Sequence, residues 1–214
     1  VLRRLVVVLL VLAGLLAGAE VVLTHLAERA LAGRVQAATG AASATVDLNG
    51  FWALGHLVIQ GEVPSAQAVL HDVPVGALTL ERVDAQLHDV RLERRVLFAD
   101  RRITVDSVAR AQVTAVVSAA ELSAALGHPI LLPGHGLVET DLFGVPLELR
   151  AELVDGDVLV LGTPSVPLLR VNLGVDPFLS ACQLSLRVQT GQVVAGCTMQ
   201  PVPSSVLAAV SADR

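Results

Sequence analysis

Apolar residues along this chain recur at two spacings. From Leu23 they fall three and four apart, at Leu23, Leu26, Ala27, Ala30, Leu31, Val35 and Ala38, with Thr24, His25, Glu28, Arg29 and Gln36 between them. This period puts one apolar stripe along a helix, so residues 20–40 are expected to form an amphipathic helix that Gly40 ends. From Val46-Asp47-Leu48-Asn49 onward the period drops to two. Alternation recurs at Leu57-Val58-Ile59-Gln60, Ala77 to Glu81, Val83 to Leu87, Ile103 to Asp106 and Ala111 to Ala115. It continues at Gly136 to Thr140, Val145 to Leu153 and Val158 to Leu161. Strands with one apolar and one polar face are half-buried members of antiparallel sheets. The Asp155-Gly156 pair supplies a hairpin turn between the last two.

One further helix interrupts the strands. Ser118-Ala119-Ala120-Glu121 has the spacing of a capping box, with Leu122, Ala125 and Leu126 following before Gly127 and Pro129. This predicts a short helix over Ala119 to Leu126. Pro201 to Ser205 leads into an apolar tail, Val206 to Val210, with room for a helical turn or two. No strand is separated from the next by a long crossover helix. The expected class is therefore α+β: one extended, twisted antiparallel sheet over residues 41–214, curling over the long N-terminal helix and forming one unit with it.

Cys182 and Cys197 flank a hairpin turned near Thr190-Gly191. A register centred between Gln189 and Thr190 sets the two cysteines opposite each other, where a disulfide can close. A two-residue Thr190-Gly191 loop instead sets Cys197 opposite Leu184. A bridge between Cys182 and Cys197 is expected, with free buried thiols as the other outcome.

Residues 1–19 carry a different signal. Arg3 and Arg4 precede an uncharged run of 15 residues, Leu5 to Ala19, that closes in Ala17-Gly18-Ala19. A basic start, an apolar stretch and a small-x-small end make a signal peptide. The run is shorter than the roughly 20 residues a spanning helix needs, which favours cleavage after Ala19. Glu20 at an interface, followed by Val21-Val22-Leu23, keeps an uncleaved transmembrane anchor open. Either way the remainder is expected to be exported, to the periplasmic side of a cell envelope.

Composition narrows the chemistry. The chain has 214 residues, 53% hydrophobic and 16% charged, with 15 basic and 20 acidic residues and a formal charge of -5. No basic patch interleaved with aromatics is present, so nucleic acid is not an expected partner. With four Phe, one Trp and no Tyr, any cavity is aliphatic and carbohydrate platforms are disfavoured. The aromatic concentration is Gly50-Phe51-Trp52 with Leu54. A tetrapeptide, Leu-His-Asp-Val, occurs at residues 70–73 and again at 87–90, but adjacent strand residues point to opposite faces, which argues against a paired His-Asp site. His135 lies in a glycine turn, Ser118 and Ser123 lack a nucleophile elbow, and no CxxC or Cys/His set marks a metal. No catalytic residue, metal or cofactor is expected. Arg91, Arg94, Arg95, Arg101 and Arg102 form the positive cluster, either a charged hairpin face or a headgroup contact.

The order of basic leader, apolar run, amphipathic helix and Val46-Asp47-Leu48-Asn49-Gly50-Phe51 with Leu54 resembles the LmeA-like family of actinobacterial envelope phospholipid-binding proteins. The strand Val83 to Val90 and the segment Ala111 to Leu126, with Ser118 and Leu122, stand where that family has equivalent elements. The resemblance spans nearly the whole chain and implies a tubular lipid-binding type of fold, in which a twisted sheet wraps a long helix beside an apolar groove. Trp52 and Ala53 depart from the family's proline and second aromatic. The function implied is non-enzymatic binding of a phospholipid or glycolipid, for transfer or envelope maintenance. Phe51, Trp52 and Leu54 are the expected lipid contacts, at the rim or the membrane surface. The competing expectation is a membrane-anchored interaction module with a filled core and no lipid.

Overall fold

The computed structural model describes residues 25–49, 61–76, 78–92, 105–142, 145–154, 158–163, 166–172 and 181–207. Helix α1 covers residues 25–39 and stops at Gly40, whose φ of 69° is the left-handed geometry that glycine adopts without a Cβ clash. Its half-buried face is Ala27, Glu28, Leu31, Ala32 and Val35, whereas Leu26, Ala30 and Ala38 are exposed. The stripe is thus rotated from the one expected, and Glu28 lies on it. The reason is a hydrogen bond: the Glu28 carboxylate accepts the backbone N–H of Leu48 at 3.0 Å, satisfying a donor that strand pairing leaves unmet.

Leu48 belongs to β1 (Ser43–Asn49), the first strand of an antiparallel meander with β2 (Glu62–Val75), β3 (Leu78–Leu92) and β4 (Val105–Ser118). Helix α2 (Ala119–Leu126) follows directly. Ser118 Oγ accepts the Glu121 N–H at 3.2 Å, and Gly127, at φ 70°, donates its N–H to Ser123 O. The chain then builds a second sheet from β5 (Ile130–Gly134), β6 (Leu137–Leu142), β7 (Val145–Val154), β8 (Val158–Thr163) and β9 (Val166–Asn172), in sequence order and antiparallel throughout. Finally β10 (Gln183–Gln189) and β11 (Gln192–Met199) form a hairpin that returns to the first sheet, β11 pairing with β4.

The class is α+β and mainly antiparallel sheet, as the alternation predicts. The single continuous sheet is not found. Among the described residues there are two, one of six strands in the order β1-β2-β3-β4-β11-β10 and one of five. The capped helix α2 turns the chain out of the first sheet, and only the distant β10–β11 hairpin completes it.

Leu-His-Asp-Val acts as a phase shifter. Asp72 and Asp89 both have φ of 52°, the left-handed region that Asp tolerates better than most side chains. In β2, Leu70 and Val73 are both buried while His71 and Asp72 between them are both exposed. The two polar residues therefore share the solvent side, correcting the expectation that they diverge. Matching steps of three occur at Leu80 and Val83 beside them, and at Val63 and Ala66, Leu87 and Val90, and Val108 and Ala111 near the other end. Each step keeps the same face apolar beyond the shift.

That inner face carries three separate clusters. One gathers Val63, Val90, Val108, Ala111, Cys197, Met199 and Val206, the last from a helical turn at residues 204–207. A second gathers Ala41, Leu70 and Val73 with Val35 of α1. The third lies where the sheets meet, with Ile130, Leu132 and Val188 packed against Ala119 and Leu122 of α2. The hairpin turn is fastened there by Gly191 N–H donating to Leu132 O at 2.8 Å.

The bridge between Cys182 and Cys197 is formed, with Cα atoms 5.2 Å apart. Its register is that of the two-residue Thr190-Gly191 loop, not the one that sets the cysteines directly opposite: Gln189 pairs with Gln192 and Cys197 with Leu184. Cys182 escapes the ladder because the chain bends there, just before β10 begins at Gln183. The bend brings it back over Cys197.

Candidate functional site

The expected contact residues Phe51, Trp52 and Leu54 lie outside the described residues, as do the leader, Asp155-Gly156 and four members of the arginine cluster. Strand β1 ends at Asn49 and β2 begins at Glu62. Arg91, the fifth arginine, is paired with Glu62 at 2.9 Å. No helix among the described residues is long and apolar enough to cross a membrane.

The inner face of the six-stranded sheet is an extended apolar surface, and the strand registers define it row by row. One row reads Val46, Ala68, Ala85, Val113, Cys197 and Leu184 across β1, β2, β3, β4, β11 and β10. The next reads Ala44, Leu70, Val83, Ala115, Ala195 and Leu186. Alternation puts both rows on the face of the buried Leu70, Ala111 and Met199. Neither row contains a side-chain oxygen or nitrogen. Part of it lies outside the three clusters of described residues: Val46, Ala85, Ala115 and Leu186 are half-buried, Ala195 is exposed, and none of the five belongs to a cluster. Sequence reading missed these alanines because a methyl group weighs little in an apolar pattern. The available signal was strongest at Ala85, set inward between Asp84 and Gln86, and weaker at Ala115 and Ala195, which follow Thr114 and Val194.

The outer face is polar. Asp84, Gln86, Gln112, Thr114, Ser185 and Thr198 surround a shallow cleft of about 190 Å³. Asp84 accepts N–H bonds from both Nε and Nη2 of Arg82, at 2.8 and 2.9 Å, which raises the guanidinium pKa above its ordinary value. A larger cleft of about 400 Å³ lies on the second sheet between Pro129, Leu131, Leu147 and the carboxylates of Glu139, Asp141 and Glu148. It is at the small end of the roughly 300–1,000 Å³ typical of ligand pockets. Its acidic wall repels a phosphate, so it is a poor seat for an anionic headgroup. Among the described residues no group of three or more His, Cys, Asp or Glu is arranged to hold a metal.

A family model described as LmeA-like phospholipid-binding matches residues 18–213, nearly the whole chain. No curated protein and no solved structure matches it.

Proposed function

This chain belongs to the LmeA-like phospholipid-binding family, and on that premise we propose that it binds a phospholipid or related envelope lipid against the inner face of its six-stranded sheet, without performing chemistry on it. The observation that supports this placement is the apolar floor of small side chains that lies between the three clusters of described residues. Acyl chains need no polar partner, and each methylene withdrawn from water contributes about 0.8 kcal/mol, so even a partly covered chain is held firmly. The charged and hydrogen-bonding groups of the outer face and the acidic cleft offer no comparable surface.

The working compartment in this reading is the exported side of an envelope, with the segment before residue 20 acting as signal or anchor. The disulfide fits an oxidising environment of that kind. Phe51, Trp52 and Leu54 are assigned to the rim or the membrane contact, and lipid transfer or envelope maintenance is the role.

Lipid extraction of protein purified from native membranes, followed by mass spectrometry, tests the reading. Phospholipid near one molecule per chain is the expected result. Its absence from repeated preparations would favour the interaction module with a filled core.

A further inference from the structure

Four alanines on the inner face are neighbours in space though far apart in sequence. Ala68 pairs directly with Ala85, and Ala115 pairs directly with Ala195. The two pairs join diagonally, because Ala85 faces Val113, two residues before Ala115 on the same strand. Leu186, opposite Ala195, ends the line on β10. The result is a low track across five strands. One bank is the cluster holding Leu87, Val113, Cys197 and Leu184. The other bank is formed by Leu70 and Val83 at one end and by Val188 and Val193 at the other.

The dimensions suit one ligand element. Three direct strand-to-strand steps of about 4.8 Å and one diagonal step of about 7–8 Å give a track of roughly 22 Å, long and narrow rather than broad. A floor of single methyl groups between taller aliphatic banks takes a thin rod with no polar atoms. Small side chains also keep the floor from being filled by the protein itself.

We propose that the line Ala68, Ala85, Ala115 and Ala195, ending at Leu186, seats one extended acyl chain, and that the alanines set the length of chain the protein accommodates. This rests on the lipid-binding reading above. It adds that selectivity is for the length of one straight chain, read by residues that make no directional contact. Binding then strengthens with each methylene while the chain still has track beneath it and levels off once the track ends.

The experiment uses the full chain and a series of single-chain saturated lysophospholipids of increasing length, with binding followed by calorimetry. For the wild type, affinity is expected to rise by roughly fourfold per methylene and then reach a plateau. Ala115→Leu and Ala195→Leu each place a larger side chain on the track and are expected to move the plateau to shorter chains, Ala115→Leu by more. Ala195 is exposed, so its substitution leaves the fold room to form. Ala109→Leu, at an exposed position of β4 beside the phase shift, is the control that leaves the plateau in place. A wild type that binds the series while all three variants share its plateau overturns the track and leaves lipid binding standing. A wild type that binds no member of the series overturns the lipid reading itself.

Discussion

Reducing the Cys182–Cys197 bridge should cost about 3 kcal/mol of stability at 25 °C. The magnitude follows from the loop it closes: the cysteines are 15 residues apart, and cross-linking a loop of that size removes about 3 kcal/mol of conformational freedom from the unfolded chain. The folded side of the balance changes little. Reduction leaves both sulfurs in place, so Cys197, which packs with Val108, Ala111 and Met199, keeps its contacts and opens no cavity. A chemical reductant is therefore a cleaner perturbation than substitution. For comparison, a cross-strand side-chain pair in a hairpin is worth roughly 0.2–1 kcal/mol, so the covalent term outweighs any single pairing in β10 and β11. The assay is urea unfolding of the same preparation with and without reductant. With a slope of about 1–3 kcal/mol per molar urea, the midpoint should fall by roughly 1–3 M. A fall equivalent to less than about 1 kcal/mol would refute the loop-entropy reasoning, and two reactive thiols in unfolded, unreduced protein would refute the bridge.

Other positions give independent checks. Asp89, at φ 52°, should accept glycine with little change, whereas Asp89→Val should lose about 1–2 kcal/mol in urea unfolding because a β-branched side chain resists that backbone; equal midpoints for the two variants would contradict the phase-shift account. Glu139 and Glu148 are directly opposed on β6 and β7, and like charges so placed are destabilising, so Glu148→Lys should raise stability by up to about 1 kcal/mol at low salt and by less at high salt. Trp52→Ala is expected to reduce liposome flotation and phospholipid co-purification. Unchanged values for both would remove Trp52 from the rim.

Local chemistry made some elements legible from sequence and hid others. Helix α2 was readable to the residue because Ser118, Glu121 and Gly127 are a start and a stop with a mechanism, and β1, β7 and β8 were readable because their alternation is unbroken. Strand β3 was harder. Its inward residues step by three at Leu80 to Val83 and again at Leu87 to Val90, so a period-two search divides one strand into pieces. The same irregularity conceals the extent of β2. Strand β5 has no period-two pattern between Pro129 and Pro133, and nothing in Ile130-Leu131-Leu132 says that the middle residue faces outward, 63% exposed. The pairing of β11 with β4 has no local signature, since a whole sheet intervenes in the chain. This is why two sheets were read as one. The alanine track depends on that pairing, because Ala115 and Ala195 become neighbours only through it.

The division of the apolar face into three clusters also bears on why alanine occupies its middle. Among the described residues, covering elements lie at the margins: α1 at the β1 edge, the turn at residues 204–207 beside the disulfide, and α2 with the second sheet at β10 and β11. A strand residue under no cover contributes to stability only through the area its neighbours shield. At the centre a leucine would leave a large side chain in water, and contiguous exposed aliphatic surface promotes association between copies. An alanine leaves one methyl. Such a face is tolerable in solution, while the banks of Leu, Val and Cys side chains still supply contact area when a chain lies between them. Polar residues in the same row would be equally soluble but would impose a desolvation cost on any apolar ligand. Alanine meets both requirements at once, which is the physical reason to regard the track as a site and not as an incompletely filled core.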